Sequence, residues 1–160
     1  MKTTMKKVLF ALAAVLALAA CVNKKTASSA AEGSRISNEV AFEIAKNYFF
    51  NNGQEIPANP IITTEKDFSR LFGMATLMGE NGKPTEIDFN KQFVLAVVLP
   101  ITYIDTEITP VRVEEKGDSL VYTYEVKTGE KQSYSTQPMS AIIIDKKYAD
   151  KEIKLVCQQK

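Results

Sequence analysis

The 160-residue chain contains no histidine and no tryptophan. Without an imidazole, the Ser-His-Asp and Cys-His arrangements of nucleophilic catalysis cannot be assembled, and histidine-bearing zinc sites are excluded with them. Only two cysteines occur, Cys21 and Cys157. The longest apolar run, Val8 to Ala20, has 13 residues, short of the roughly 18 that a membrane-crossing helix needs. Glycine is sparse, at seven residues, and neither Gly79 nor Gly82 stands in the strand-to-helix context, followed by Lys-Ser/Thr, of a phosphate loop. Charge is nearly balanced, with 20 basic and 19 acidic side chains, so no basic stripe points to nucleic acid. From these absences we assign no catalytic residue, no metal ligand and no cofactor.

What is present begins with Lys2, Lys6 and Lys7 before the Val8–Ala20 run, the charged and apolar regions of an export signal. At its end, Leu18-Ala19-Ala20-Cys21 resembles the lipobox of bacterial lipoproteins, where small residues precede a cysteine at the cleavage point. The resemblance implies that residues 1–20 are removed and that the Cys21 sulfur takes up the lipid, with palmitate-type acyl chains holding the protein on a membrane. Each buried methylene contributes about 0.8 kcal/mol, so two or three chains make a durable anchor. Residues 21–34, rich in Lys, Ala, Ser and Thr, read as a flexible tether. Val22-Asn23-Lys24-Lys25 carries no acidic run, which favours the periplasmic side of the outer membrane. Cys157 is then alone, so no internal disulfide forms, and the alternating Ile153-Lys154-Leu155-Val156-Cys157 predicts that it is buried.

Residues 35–160 are expected to form a single α+β domain. Val40, Ala41, Ile44, Ala45, Tyr48 and Phe49 recur at helical spacing, predicting an N-terminal helix over 37–50 closed by Asn51-Asn52-Gly53. Thr64 to Asp67 opens a short second helix with Phe68, Leu71 and Phe72 on its buried side. Phe93 to Leu99 reads as a central strand, and four more are expected over 104–114, 120–127, 140–145 and 152–157. Pro110 argues for an edge position or a break, while 115–118 and 128–131 read as turns. The expected architecture is thus two helices packed on an antiparallel sheet, or partly open barrel, of about five strands.

Two groups of residues are candidates for binding. The connection after the central strand, Pro100, Ile101, Thr102, Tyr103, Ile104, Asp105 and Glu107, is where an extended segment would meet a partner backbone. Tyr122 and Tyr124 share one strand face and would stack a glycan or small ligand. Tyr48 and Phe49 offer an alternative lining. Glu114, Glu115 and Asp118 lack the spacing of a calcium loop and read as a hairpin tip.

From Ile61 to about Asp145 the chain resembles the C-terminal domain of the PrcB-like family, associated with secreted protease complexes. The likeness rests on Thr63-Thr64-Glu65-Lys66-Asp67-Phe68, on Ile87-Asp88-Phe89-Asn90-Lys91-Gln92-Phe93-Val94-Leu95-Ala96-Val97, and on Thr136-Gln137-Pro138-Met139-Ser140-Ala141-Ile142-Ile143. The stretch 100–107 keeps an aromatic residue but not the family's glycine pair. Ile36 to Phe49 is similar to the opening helix of propeptides and inhibitors of streptopain-type proteases. Together these likenesses imply a lipid-anchored, non-enzymatic envelope protein that binds an exported protease as inhibitor or accessory subunit. The rival expectation is a glycan- or small-ligand-binding lipoprotein.

Overall fold

The computed structural model describes residues 38–158 apart from 77, 80 and 81. The export signal, Cys21 and the tether lie outside the described residues. In chain order the elements are β1 (Glu43–Ile44), β2 (Tyr48–Phe50), β3 (Ile61–Ile62), α1 (Glu65–Leu71), β4 (Phe72–Met74), β5 (Gln92–Val98), β6 (Thr102–Lys116), β7 (Ser119–Thr136), β8 (Met139–Asp145) and β9 (Glu152–Gln158), with a 3₁₀ turn at Lys146–Tyr148. They form a four-stranded sheet ordered β1-β8-β5-β3, a ribbon β2-β4 and a three-stranded sheet β6-β7-β9.

The run 92–145 is one long hairpin folded over on itself. β5 and β8 pair antiparallel from Gln92↔Asp145 to Val98↔Met139. Both strands continue, through Leu99–Ile101 and Gln137–Pro138, into the antiparallel pair β6–β7, which runs from Thr102↔Thr136 to Lys116↔Ser119. At the junction the Leu99 N–H donates to the Pro138 carbonyl at 2.9 Å. Gly117 at the tip has φ 61°, the left-handed value required at the first central position of a type II′ hairpin turn. Register shifts let the hairpin bend: between Thr102 and Ile104 the partner jumps from Thr136 to Lys131, and further shifts follow at Ile104/Thr106 and Pro110/Arg112. Such bulges kink a strand and raise its twist, which brings the tip half back over the base half.

Strand alternation then makes two cores from one sheet. Phe93, Leu95 and Val97 of β5, with Ile142 and Ile144 of β8, face the folded-back Ile108, Val113, Leu120 and Tyr122. The other face, Val94, Ala96, Val98, Ala141 and Ile143, is covered by Phe68 and Leu71 of α1 and by Phe50 and Phe72 of the β2–β4 ribbon. Burial on both faces explains why β5 reads as continuous apolar sequence rather than an alternating one. Each such side chain contributes about 1.5–3 kcal/mol. α1 starts where the Thr64 hydroxyl accepts the Asp67 N–H at 3.1 Å and donates to the Asp67 carboxylate at 2.7 Å, a reciprocal cap.

The α+β expectation is overturned: the chain is mostly strand, with one α-helix among the described residues and no closed barrel. The largest correction falls on the N-terminal segment, where the described residues from Asn38 to Phe50 are extended, not helical. Its buried residues are Val40, Ala45 and Phe50, five apart, and Val40 belongs to one core while Ala45 and Phe50 belong to the other. The segment crosses from sheet to sheet, pairing Glu39 with Glu114 of β6 and then β1 with β8. Covering two open strand edges outweighs a local helical pattern. Asn47, at φ 60°, makes the break between β1 and β2.

The expected turn at 128–131 is also corrected, because those residues continue β7. β9 runs parallel to β7, so the sheets are not all antiparallel. Cys157 is exposed, because β9 is an edge strand on which only Ile153 reaches the core. β6 is an edge strand with a register shift at Pro110/Arg112, as proline at 110 requires.

Tyr122 tests this core. It is 0% exposed, and its hydroxyl finds no hydrogen-bond partner among the described residues. Burial pushes the phenol up to about 12, and Ser140, which lies near the hydroxyl without making a well-formed hydrogen bond to it, only partly offsets this. Tyr122→Phe removes the orphaned hydroxyl and is expected to hold or raise stability by up to about 1 kcal/mol, whereas Tyr122→Ala loses about 3–5 kcal/mol. Because the folded protein keeps this proton more tightly than the unfolded chain, Tyr122 contributes stability in full below pH 10, lost as pH rises toward 12. Urea unfolding followed by circular dichroism across that range should show the decline in the natural chain and a shallower one in Tyr122→Phe.

Candidate functional site

The seven residues singled out after β5 lie where the hairpin begins to fold over. Ile101 and Tyr103 are 67% and 55% exposed, and Tyr134, in the bulge across from them, is 59% exposed. Pro100, Ile101, Thr102 and Ile104 line an open cleft of about 470 Å³ with Leu99, Val126 and Pro138. Alternation turns Tyr103 and Asp105 to the other face. There Asp105 lies across Gly129, where an added Cβ would stand 3.0 Å from the Asp105 Oδ2. Glu107 lines a neighbouring cleft of about 250 Å³ between β6, β1 and β8. The bulge is held locally, with the Ile104 N–H donating to the Thr102 hydroxyl at 3.0 Å and the Thr106 hydroxyl donating to the Ile104 carbonyl at 2.9 Å.

Tyr122 and Tyr124 do not form a stacking platform. Their rings sit 5.8 Å apart at 48°, on the side of β7 that faces the core. Tyr122 is wholly buried there. Tyr124 is partly buried, and burial first, then the Cys157 thiol, raises its phenol. Alternation correctly places both tyrosines on one face, but it is the inner one.

A second concavity lies beside α1. α1, β4 and residues 83–89 enclose about 460 Å³ over a floor of Phe68 and Phe72. Phe68 is its centre, stacked on Phe72 at 5.0 Å, edge-on to Tyr48 at 5.0 Å and tilted against Phe89 at 5.7 Å. The 83–87 wall is tied to the β1–β2 connection. The Tyr48 hydroxyl donates to the Thr85 carbonyl at 2.7 Å, the Lys46 N–H to the Thr85 hydroxyl at 3.0 Å, and the Asn47 amide to the Lys83 carbonyl at 2.8 Å. Burial, then the negative field of Glu86, raises the Tyr48 phenol. Glu65, Lys83 and Glu86 stand around the opening. Of the alternative lining, Tyr48 is here, whereas Phe49 lies over Gly73 on the ribbon. The signal in the sequence is aromatic density at 48, 68, 72 and 89, of which Tyr48 reads as a possible lining, Phe68 and Phe72 as core, and Phe89 only as part of the PrcB-like likeness.

Several acids elsewhere are committed to partners. Glu114 takes Arg112 at 3.0 Å and Lys116 at 3.3 Å, hydrogen bonds that lower its pKa, and Glu115 pairs with Lys151 at 2.8 Å. The Asn90 backbone N–H, ahead of Lys91, lowers that of Asp88. Among the described residues no group of three or more Cys, Asp or Glu side chains is placed to hold a metal ion. No known family, curated protein or solved structure matches the chain.

The exposed thiol gives a direct check on β9. Cys157 in the folded protein should react with a maleimide at close to the rate of an unstructured peptide thiol, and Cys157→Ala should alter stability by less than about 0.5 kcal/mol. Labelling that requires denaturant would show that β9 is not an exposed edge.

Proposed function

We propose that this chain is a lipid-anchored envelope protein, tethered through Cys21, that acts as a non-enzymatic protein-binding module on an exported protease, as inhibitor or accessory subunit. The observation that carries this reading is the cluster of exposed apolar side chains at the bend of the hairpin, with Ile101 and Ile104 in one cleft, Tyr103 on the opposite face and Tyr134 across from them. Soluble domains seldom leave a run of large apolar side chains exposed without a partner to cover it.

β6 is an edge strand, and among the described residues its outer side is bridged only near the tip, at Glu39↔Glu114. Between Thr102 and Thr109, apart from the Ile104 N–H and carbonyl that the bulge already engages, an extended partner segment has backbone to pair with, each hydrogen bond contributing a net 0.5–1.5 kcal/mol, roughly. The cleft at Ile101 and Ile104 supplies side-chain selectivity, since burying two such residues adds about 1.5–3 kcal/mol each. Lipid on Cys21 confines the module to the membrane surface, where an exported partner passes. The support for the anchor is the lipobox, and the support for a protease partner is the likeness of Ile61–Asp145 to the PrcB-like domain.

Purification of the tagged chain from solubilised native envelopes should return a protease. Ile101→Asp with Ile104→Asp, both at exposed positions, should cut that yield more than about tenfold while leaving the fold intact, since each charge blocks burial of an apolar anchor. Recovery of no protease, or equal recovery with the double variant, would overturn the reading. Separately, Cys21→Ser should move the protein from the membrane fraction to the soluble one, and retention in the membrane would refute the anchor.

A further inference from the structure

The aromatic concavity beside α1 uses none of the residues of the proposed docking surface, and its chemistry differs. Its floor is apolar and closed by Phe68 and Phe72, with Ile87, Phe89 and Met74 at the sides. Its volume of about 460 Å³ falls in the range of small-molecule sites, roughly 300–1,000 Å³. The charges at its mouth are unequal, with two carboxylates, Glu65 on the first turn of α1 and Glu86 on the facing wall, against the single ammonium of Lys83. None of the three makes a salt bridge with a described residue. Among the described residues the mouth therefore carries one net negative charge, above an aromatic floor whose ring quadrupoles also attract cations.

We propose that this concavity binds a small organic monocation, an aryl- or alkyl-ammonium whose apolar body rests on Phe68, Phe72 and Phe89 and whose charge lies between Glu65 and Glu86. An anion of the same shape meets two carboxylates and the negative ring faces. A neutral analogue keeps the apolar contact but gains nothing from the charges. Wall and floor are set before any ligand arrives, because the Thr85 and Lys83 backbone is held to Tyr48 and Asn47 by hydrogen bonds of 2.7 and 2.8 Å. Little ordering cost then falls on binding.

Three probes of one shape separate the terms: phenethylammonium, phenethyl alcohol and phenylpropionate, titrated calorimetrically into the full chain in neutral detergent with the detergent-only heat subtracted. Phenethylammonium should bind saturably, the alcohol about fivefold more weakly, and the carboxylate more weakly still. Glu65→Gln with Glu86→Gln, checked for folding by circular dichroism, should bring the amine to the level of the alcohol. Ile101→Asp with Ile104→Asp should leave the amine affinity unchanged, so this site and the docking surface succeed or fail independently. The proposal is overturned by any of three results: no saturable binding of the amine to the folded protein, equal binding of the alcohol or carboxylate, or a double glutamine variant that keeps the preference.

Discussion

Everything in this fold depends on the pairing of β5 with β8. That ladder of seven residue pairs carries apolar side chains on both faces, so neither face tolerates water and each must find a cover. One cover comes from the same strands, bent back at their bulges. The other comes from α1 and the β2–β4 ribbon. The polar backbone of the central strands is satisfied in the sheet, which is the condition for burying it at all. The remaining elements then seal edges: β3 lies beside β5, the 38–45 segment stitches β6 to β8, and β9 closes the far side of β7.

Much of the strand content could be read directly. Phe93–Leu99 announced a doubly buried strand through its unbroken apolar run, and Thr64 with Asp67 announced the start of α1. The segment 38–50 was misleading because Val40, Ala41, Ile44, Ala45 and Tyr48 satisfy a helical period by chance. Nothing local to those residues says that two strand edges, more than sixty positions further along, require an extended cover. Thr128-Gly129-Glu130-Lys131 misled for a related reason. Gly129 stands there to let Asp105 fold across it, and a turn and a close approach call for the same residue.

The two concavities were legible to different degrees. The connection after β5 stands out as the link from the central strand to the next, where an extended partner could pair, and in the structure Pro100, Ile101, Thr102 and Ile104 do share one cleft. The aromatic concavity draws on three separate stretches brought together by α1 and by hydrogen bonds from the β1–β2 connection. Its phenylalanines look like ordinary core residues when each is read in its own element. For Tyr122 and Tyr124 the face was right and its direction was not, since alternation alone does not say which side of a strand meets water.

The folded-over hairpin also has a consequence in time. Its first ladder pair joins Gln92 to Asp145, and the parallel strand at the far edge, β9, follows later still in the chain. Native contacts this distant in sequence are rewarded only after a long loop has closed, which slows folding. The central sheet cannot close until the chain has been made as far as Asp145. Until then β5, apolar on both faces, lacks its partner β8 and the covers that fold back with it.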